Sequence, residues 1–314
     1  FSTPYGHYEN QKLTSMVIDS HFNVYWKNQE VKTSGIGYVA SYPEFRGNGA
    51  IRQLMTKSLR DNYEKGVIFS YLAPFSYAFY EKFGYHYAFN QKHYRLAAQD
   101  FPKGKRSAGE ISREKFEFDD ENASEFSVSK NTALFKVLTE VHQKADNQGS
   151  LVRSPELWSY FFSFKSQPHC AIYRENGKAL GYLLYEFSEM TFVIKELITL
   201  TNEAKQALCR FISSHAGSFS EISWQAPSDI LLEEELTEPQ RAEIKLVPYM
   251  QARIVNLQEF LKVHGQPDFS VEITDEIIPE NNISLGEGKR EKMTIGQFTA
   301  KILKENQAIL REYF

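Results

Sequence analysis

Only two cysteines, Cys170 and Cys209, occur in 314 residues. That is too few for a disulfide framework or a cysteine-based zinc cluster, and it fits a reducing, cytoplasmic setting. No run approaches the roughly 20 apolar residues that a bilayer-crossing helix needs, so no membrane partner is expected. Excess charge is also scarce. Lys+Arg total 36 against 40 Asp+Glu, a formal net charge of −4, which gives no general attraction to nucleic acid or acidic lipid. Lys103, Lys105 and Arg106 form a short basic run that reads as a solvated linker. His142, His169, His215 and His264 lack metal-ligand spacing, so no metal is expected. No initiator Met or charged-then-apolar leader opens the chain. From its abrupt start at Phe1 we expect that an N-terminal piece of the first domain is missing.

What is present is ordinary globular material, 42% hydrophobic and 24% charged. The length exceeds one compact core and predicts two or three domains. Alternation predicts strands over Leu13–Asp19 and Gly35–Tyr42. The glycine-bearing loop Pro43–Gly49 follows, and then a helical pattern through Ile51, Leu54, Met55 and Leu59, stopped by Gly66. Val67–Leu72 reads as a buried strand, Pro74–Lys82 as a short helix ended by Gly84, and Tyr85–Leu96 as an aromatic strand. The order is that of an α/β (α+β) domain. After the linker-like Asp100–Ser107 comes a second α/β region. It has helices near 133–144, 155–164 and 204–214, and strands near 170–174, 179–187, 192–200 and 221–225. The last region opens with Gln251–Val255 and carries helices over 257–264 and 295–305. "Strand pair, then helix, then strand" occurs once in each of the first two regions, which hints at duplication.

The loop Arg46-Gly47-Asn48-Gly49-Ala50 sits where a strand hands over to a helix. The first helical turn leaves backbone N–H groups without partners and carries partial positive charge, so it suits a pyrophosphate. Glycines let main chain approach phosphate oxygens, and Arg46 adds a permanent forked charge. Val39, Ala40 and Ser41 would offer backbone groups to a pantetheine arm lying alongside like an extra strand. The plainer alternative is a left-handed turn with Arg46 on a solvated surface. The loop is neither a G-x-G-x-x-G fingerprint nor a P-loop.

Downstream lies Phe79-Tyr80-Glu81-Lys82-Phe83-Gly84-Tyr85. With V-A-S-Y-P-E-F-R-G-N-G-A-I-R at 39–52, it resembles the GNAT superfamily of N-acetyltransferases. In that superfamily an R/Q-x-x-G-x-G/A loop binds the pyrophosphate of acetyl-CoA, and a Tyr-x-x-x-Gly-Phe/Tyr segment sets a tyrosine near the thioester sulfur. Ile51 departs from the pattern by standing where Gly or Ala is usual. Over nearly the whole chain, order and size are similar to the enhanced intracellular survival (Eis) acetyltransferases. The motifs themselves lie within 36–96. The resemblance implies tandem GNAT-like domains, mixed sheets flanked by helices, plus a small C-terminal sterol-carrier-protein-like domain. It places these as an acetyl-CoA-binding domain over 1–98, a degenerate second domain over 99–250, and the sterol-carrier-like domain over 251–314. It also implies a small-molecule amine acceptor, such as an aminoglycoside-like polyamine, and a hexameric homo-oligomer. A protein or peptide amine, or a non-catalytic acyl-CoA- or lipid-binding role, are the alternatives.

Physical chemistry supports the degenerate label. The corresponding junction, Leu200-Thr201-Asn202-Glu203-Ala204, has no glycine and no arginine, and Glu203 brings a carboxylate to where phosphate would sit. One cofactor site per chain is expected.

Acetylation of an amine needs a polarised carbonyl and a protonated leaving thiolate. Tyr80, with a reference pKa of about 10, is protonated at neutral pH and suits the acid role; otherwise it is a core tyrosine. A backbone N–H within 39–41 would hold the carbonyl. The resemblance implies that the base is the free C-terminal carboxylate, here on Phe314. The plainer alternative for Phe314 is a frayed terminus. Glu81 and His86 are blander candidates. Tyr38, Phe75, Tyr77 and Phe79 would either line a substrate pocket or fill core. Glu233–Glu235 reads as a solvated helix end. No Cys or Ser stands in a nucleophile motif, so transfer is expected to be direct.

Overall fold

The computed structural model describes residues 2–117, 130–145, 147–164 and 168–311. Described residues within Phe1–Asn90, Gln148–Val152 and Pro248–Ile309 form one compact unit, and those within Gln91–Asn147, Arg153–Val247 and Leu310–Phe314 a second.

The first unit begins with strands β1 (Ser2–Glu9), β2 (Lys12–Trp26) and β3 (Gln29–Ser41), which form an antiparallel meander. Asn10-Gln11 and Lys27-Asn28 make the two hairpin turns with positive φ at all four positions, the backbone that two-residue hairpins favour. Helix α1 (Ala50–Glu64) follows; its Leu54, Met55 and Leu59 face the core at helical spacing. Strand β4 (Phe69–Leu72), buried at every position, runs parallel to β3, as a crossover through a helix requires. Helix α2 (Tyr77–Glu81) is capped by the Ser76 hydroxyl, which accepts from the Phe79 N–H. It is shorter than the expected Pro74–Lys82. Strand β5 (His86–Ala97) comes next. The core of this unit gathers Val17, Ile36, Leu54, Met55, Leu59, Leu72, Tyr80, Phe83, Tyr85 and Val255.

In the second unit, residues of β5 from Gln91 to Ala97 pair with β10 (Glu221–Pro227). The other strands are β6 (Glu110–Glu114), β7 (His169–Glu175), β8 (Lys178–Ser188) and β9 (Thr191–Thr199), giving the order β5-β10-β9-β8-β7-β6. Helices α3 (Thr132–Lys144), α4 (Pro155–Phe164) and α5 (Asn202–Ser213) complete it, and β9 and β10 are the parallel pair. The repeat anticipated from sequence is therefore visible: meander, helix, parallel strand.

Strand β11 (Glu243–Ile254) leads the chain back. Its Gln251–Ile254 pairs antiparallel with Leu72–Phe69, so it adds a strand to the first unit's sheet. Helix α6 (Leu257–His264), a small sheet of β12 (Val271–Thr274), β13 (Ser284–Leu285) and β14 (Glu291–Thr294), and helix α7 (Ile295–Glu305) follow. The capping box of α7, Thr294 with Gln297, fixes its start. Among the described residues no helix is long and apolar enough to cross a membrane.

Candidate active site

The parallel ladder between β3 and β4 is short. It pairs Thr33 with Phe69, Ser34 with Ser70 and Gly35 with Tyr71, and there it stops. Strand β3 continues to Ser41, so residues 36–41 lose their β4 neighbour. A bulge assists the parting. The register against β2 shifts between Met16 and Ile18, and opposite that shift Tyr38 takes φ of 50°, a left-handed value rare for a bulky residue. On the other edge the strand stays tied: Ser41 and Ser15 hydroxyls lie 2.6 Å apart, and the Tyr42 N–H donates to the Thr14 carbonyl at 3.1 Å. The outcome is a split sheet with main-chain groups of Val39, Ala40 and Ser41 beside the gap.

At the end of that strand lies the glycine loop. Pro43–Phe45 form a 3-10 turn, then Gly47 and Gly49 each take φ of 85°. Gly49 is the N-cap of α1 and brings no side chain to the first turn; the Ala50 N–H is met by the Asn48 side-chain oxygen at 3.0 Å. Asn48 is itself held by Glu9 at 2.9 Å. A Cβ at Gly47 or Gly49 would have no atom within 4 Å, so open space faces the loop. Arg46, Gly47, Asn48 and Gly49 are exposed, whereas Ala50 is buried. No acidic residue stands in the first turn of α1. The donor set suits an anion such as a pyrophosphate: a helix start whose N-cap brings no side chain, left-handed glycines, one arginine and room to approach.

Tyr80 lies on α2, buried to 3% exposure in the core that also contains Leu54, with Val39 and Ile51 packed at its edge. Its ring meets Phe75, Phe79 and Tyr85 at centroid distances of 5.3, 5.0 and 6.3 Å. Burial pushes its phenol up to about 12, because low-dielectric surroundings disfavour the charged phenolate. Of the suggested pocket aromatics, Tyr38 and Phe75 are exposed, while Tyr77 and Phe79 are half-buried. His86 and Glu81 approach to 3.6 Å on the surface. Phe314 lies outside the described residues.

Sequence reasoning missed two buried polar clusters. The Asp19 carboxylate, fully buried, accepts from Ser34 at 2.6 Å, Ser58 at 2.8 Å and Asn62 at 2.5 Å. Ser34 also accepts from Ser70, which bonds Tyr85. This network locks β2, β3, α1 and β4 together at the last rungs before the split. The second cluster centres on Arg253. Neither has a local sequence signature, since its members come from different elements.

Residues 3–88 match the model of an acetyltransferase (GNAT) domain, and residues 149–254 match a second such domain. A solved Enterococcus faecalis protein, described as a conserved protein of unknown function and probable N-acyltransferase, is 30% identical. The likeness covers 100% of this chain and 89% of that one, with a TM-score of 0.83. This chain belongs to the GNAT acetyltransferases. It is an N-acetyltransferase built of tandem GNAT domains, and enzymes of this type draw acetyl groups from acetyl-CoA. The GNAT enzyme shares its fold with Eis1 from Mycobacterium abscessus (17% identity, 99% of this chain, 84% of that one, TM-score 0.74). A GCN5-related N-acetyltransferase from Anabaena variabilis is likewise similar in fold (21% identity, 96% and 82%, TM-score 0.76). Among curated proteins, none matches the chain.

In the second GNAT domain the corresponding junction differs. Helix α5 is capped by the Thr201 side chain, which accepts from the Ala204 N–H at 3.1 Å, and Glu203 stands in its first turn. The expected solvated helix end at Glu233–Glu235 is a 3-10 turn. Its Glu233 accepts from Lys92 at 2.8 Å and from the Tyr94 hydroxyl.

Proposed function

We propose that this GNAT enzyme moves an acetyl group from acetyl-CoA directly to a primary amine, with aminoglycoside-like polyamines among its acceptors. The observation that carries the reading is the conjunction of a parted β3–β4 ladder, a helix start with glycine as its N-cap and a buried tyrosine. The main chain of Val39, Ala40 and Ser41 would hold the pantetheine arm, and one of these N–H groups would polarise the thioester carbonyl. The first-turn N–H groups of α1, with Gly47, Asn48, Gly49, Ala50 and Arg46, would hold the pyrophosphate. Acetyl-CoA supplies an acetyl group already activated as a thioester.

Tyr80 would give its hydroxyl proton to the departing sulfur. A phenol held near 12 is fully protonated at neutral pH, and the burial that raises it also raises the basicity of a thiolate beside it. The carboxylate of Phe314 would take the amine proton, a role resting on the family resemblance. Hexameric assembly, a sterol-carrier-like fold for 251–314, domain limits at 98 and 250, and a cytoplasmic location belong to this same reading.

The test is calorimetric titration with coenzyme A, followed by a panel of amines assayed for CoA release. Heat on titration and turnover with polyamines are expected. Turnover with peptides alone would move the acceptor to protein amines. Binding without turnover on any amine would leave an acyl-CoA-binding module. One residue added after Phe314 should depress turnover if its carboxylate is the base; unchanged rates would remove that role.

A further inference from the structure

We infer that Arg253, locked by Asp275, is a positioning residue that sets where the Tyr80 hydroxyl stands; the inference rests on the acid role proposed for Tyr80. Arg253 lies on β11 with a fully buried side chain. Its guanidinium spans three acceptors: Nη1 donates to the Phe83 carbonyl, Nη2 to the Asp275 carboxylate, and Nε to the Ile254 carbonyl at 3.2 Å. Asp275 is saturated in turn. Its Oδ1 accepts from the N–H groups of Ile277 and Ile278 at 3.0 and 3.1 Å, and its Oδ2 from Asn281 at 2.9 Å.

Phe83 is the point of leverage. Its N–H donates to the Tyr80 carbonyl at 2.9 Å, closing the turn that ends α2. Gly84 follows with φ of 76°, and a Cβ there would come within 2.8 Å of Arg253 Nη1 and 2.9 Å of Ile295 Cγ2. From the other side, a Cβ on Gly296 of α7 would come within 2.6 Å of the Gly84 carbonyl oxygen. The turn is thus clamped between the guanidinium and the first turn of α7. Helix α2, only five residues long, cannot hold its own geometry without such external bonds.

The choice of a charged clamp is informative. A buried ion pair adds little stability over apolar residues of the same volume, because desolvating two charges is costly. What an apolar side chain cannot do is bind a carbonyl on one segment and a carboxylate on another in a fixed plane. Fixing Phe83 fixes Tyr80 three residues earlier, and misplacing a reacting group by about 1 Å can cost on the order of a hundredfold in rate.

Arg253→Lys tests this, since an ammonium keeps charge against Asp275 but has no fork to reach Phe83 as well. We expect kcat to fall roughly tenfold to a hundredfold with KM for acetyl-CoA unchanged, and no further fall when the change is added to Tyr80→Phe. Gly296→Ala, which presses on the Gly84 carbonyl without touching the ion pair, should give the same pattern and replaces Arg253→Lys if that variant does not fold. Unchanged kcat, or a loss that multiplies with that of Tyr80→Phe, overturns the positioning role. Full turnover by Tyr80→Phe alone overturns the acid role and the positioning role together, whereas loss in Tyr80→Phe with none in the clamp variants overturns the clamp alone.

Discussion

The two GNAT domains of this chain part a parallel ladder in the same way and differ at the helix start that follows. In the first, β3 and β4 stay paired to Gly35 and Tyr71 and then part; in the second, β9 and β10 stay paired to Ile194 and Trp224, while β9 runs on to Thr199. Both split strands lead into a helix. The first helix starts at a bare left-handed glycine with an arginine nearby. The second starts at a threonine that spends its hydroxyl on the first turn, with a glutamate beside it. A side-chain cap and an anion compete for the same N–H groups, so on the proposed reading the second junction would hold a phosphate more weakly than the first. The segments after the parallel strand diverge too. One places Tyr80 on α2; the other, Ser228–Leu236, has no tyrosine and turns through buried Leu232.

The largest expected effect breaks the comparison at the tyrosine. If Tyr80 is the acid proposed above, Tyr80→Phe removes that proton donor, and kcat should fall about 10²- to 10⁴-fold with little change in KM for acetyl-CoA. Steady-state kinetics read this directly, and a rise in KM without a fall in kcat would make Tyr80 a packing residue. Next in size is a transplant. Ile51→Glu gives the first turn of α1 the carboxylate that Glu203 brings to α5, and should raise the dissociation constant for coenzyme A by at least about tenfold, from an adverse charge at the helix start. Calorimetry would detect it; unaltered affinity would mean the pyrophosphate lies elsewhere. Arg46→Ala is milder, removing one exposed charge, and should raise KM for acetyl-CoA about tenfold at constant kcat.

The contrast between junctions was readable in the sequence because everything that makes it is local. Glycine at 47 and 49, arginine at 46 and glutamate at 203 act within one turn of a helix start, and the periodicity of 51–63 announced that helix. Tyr80 stands out in the sequence for a different reason, its spacing from Gly84 and Tyr85. What escaped was held by distance in the chain. Arg253 bonds a carbonyl 170 positions away, and Asp19 gathers Ser34, Ser58 and Asn62 from a strand and a helix. Strand β1 escaped because Ser2–Glu9 is polar and its alternation is weak; only pairing with β2 makes it a strand. Strand β11 reads in sequence as the opening of a separate region, since nothing within Gln251–Ile254 names Phe69–Leu72 as its partner.

The reverse substitution in the second domain should be felt in stability alone. Thr201→Ala strips the cap from α5 and should cost about 1 kcal/mol, a melting shift of roughly 2–4 °C, with turnover unchanged well below that temperature. If turnover dropped as well, the second junction would be contributing to the reaction after all.

The smallest expected effect is a flat line, and it rests on a contrast between Tyr80 in the first compact unit and Tyr94 in the second. Tyr80 is raised to about 12 by burial alone, whereas Tyr94 is raised by burial together with its hydrogen bond to Glu233. A phenol donating to a carboxylate has its proton committed; one raised only by desolvation is protonated and uncommitted. The sign follows from the form that burial penalises. Phenolate is the charged form, so the proton is held more tightly and leaves at higher pH, and the alkaline limb of kcat due to Tyr80 must lie above about pH 10. Between pH 7 and 9 that group should contribute no decline. A descending limb centred below pH 10 that disappears in Tyr80→Phe would mean that water reaches the phenol in the working enzyme and that burial does not hold its proton.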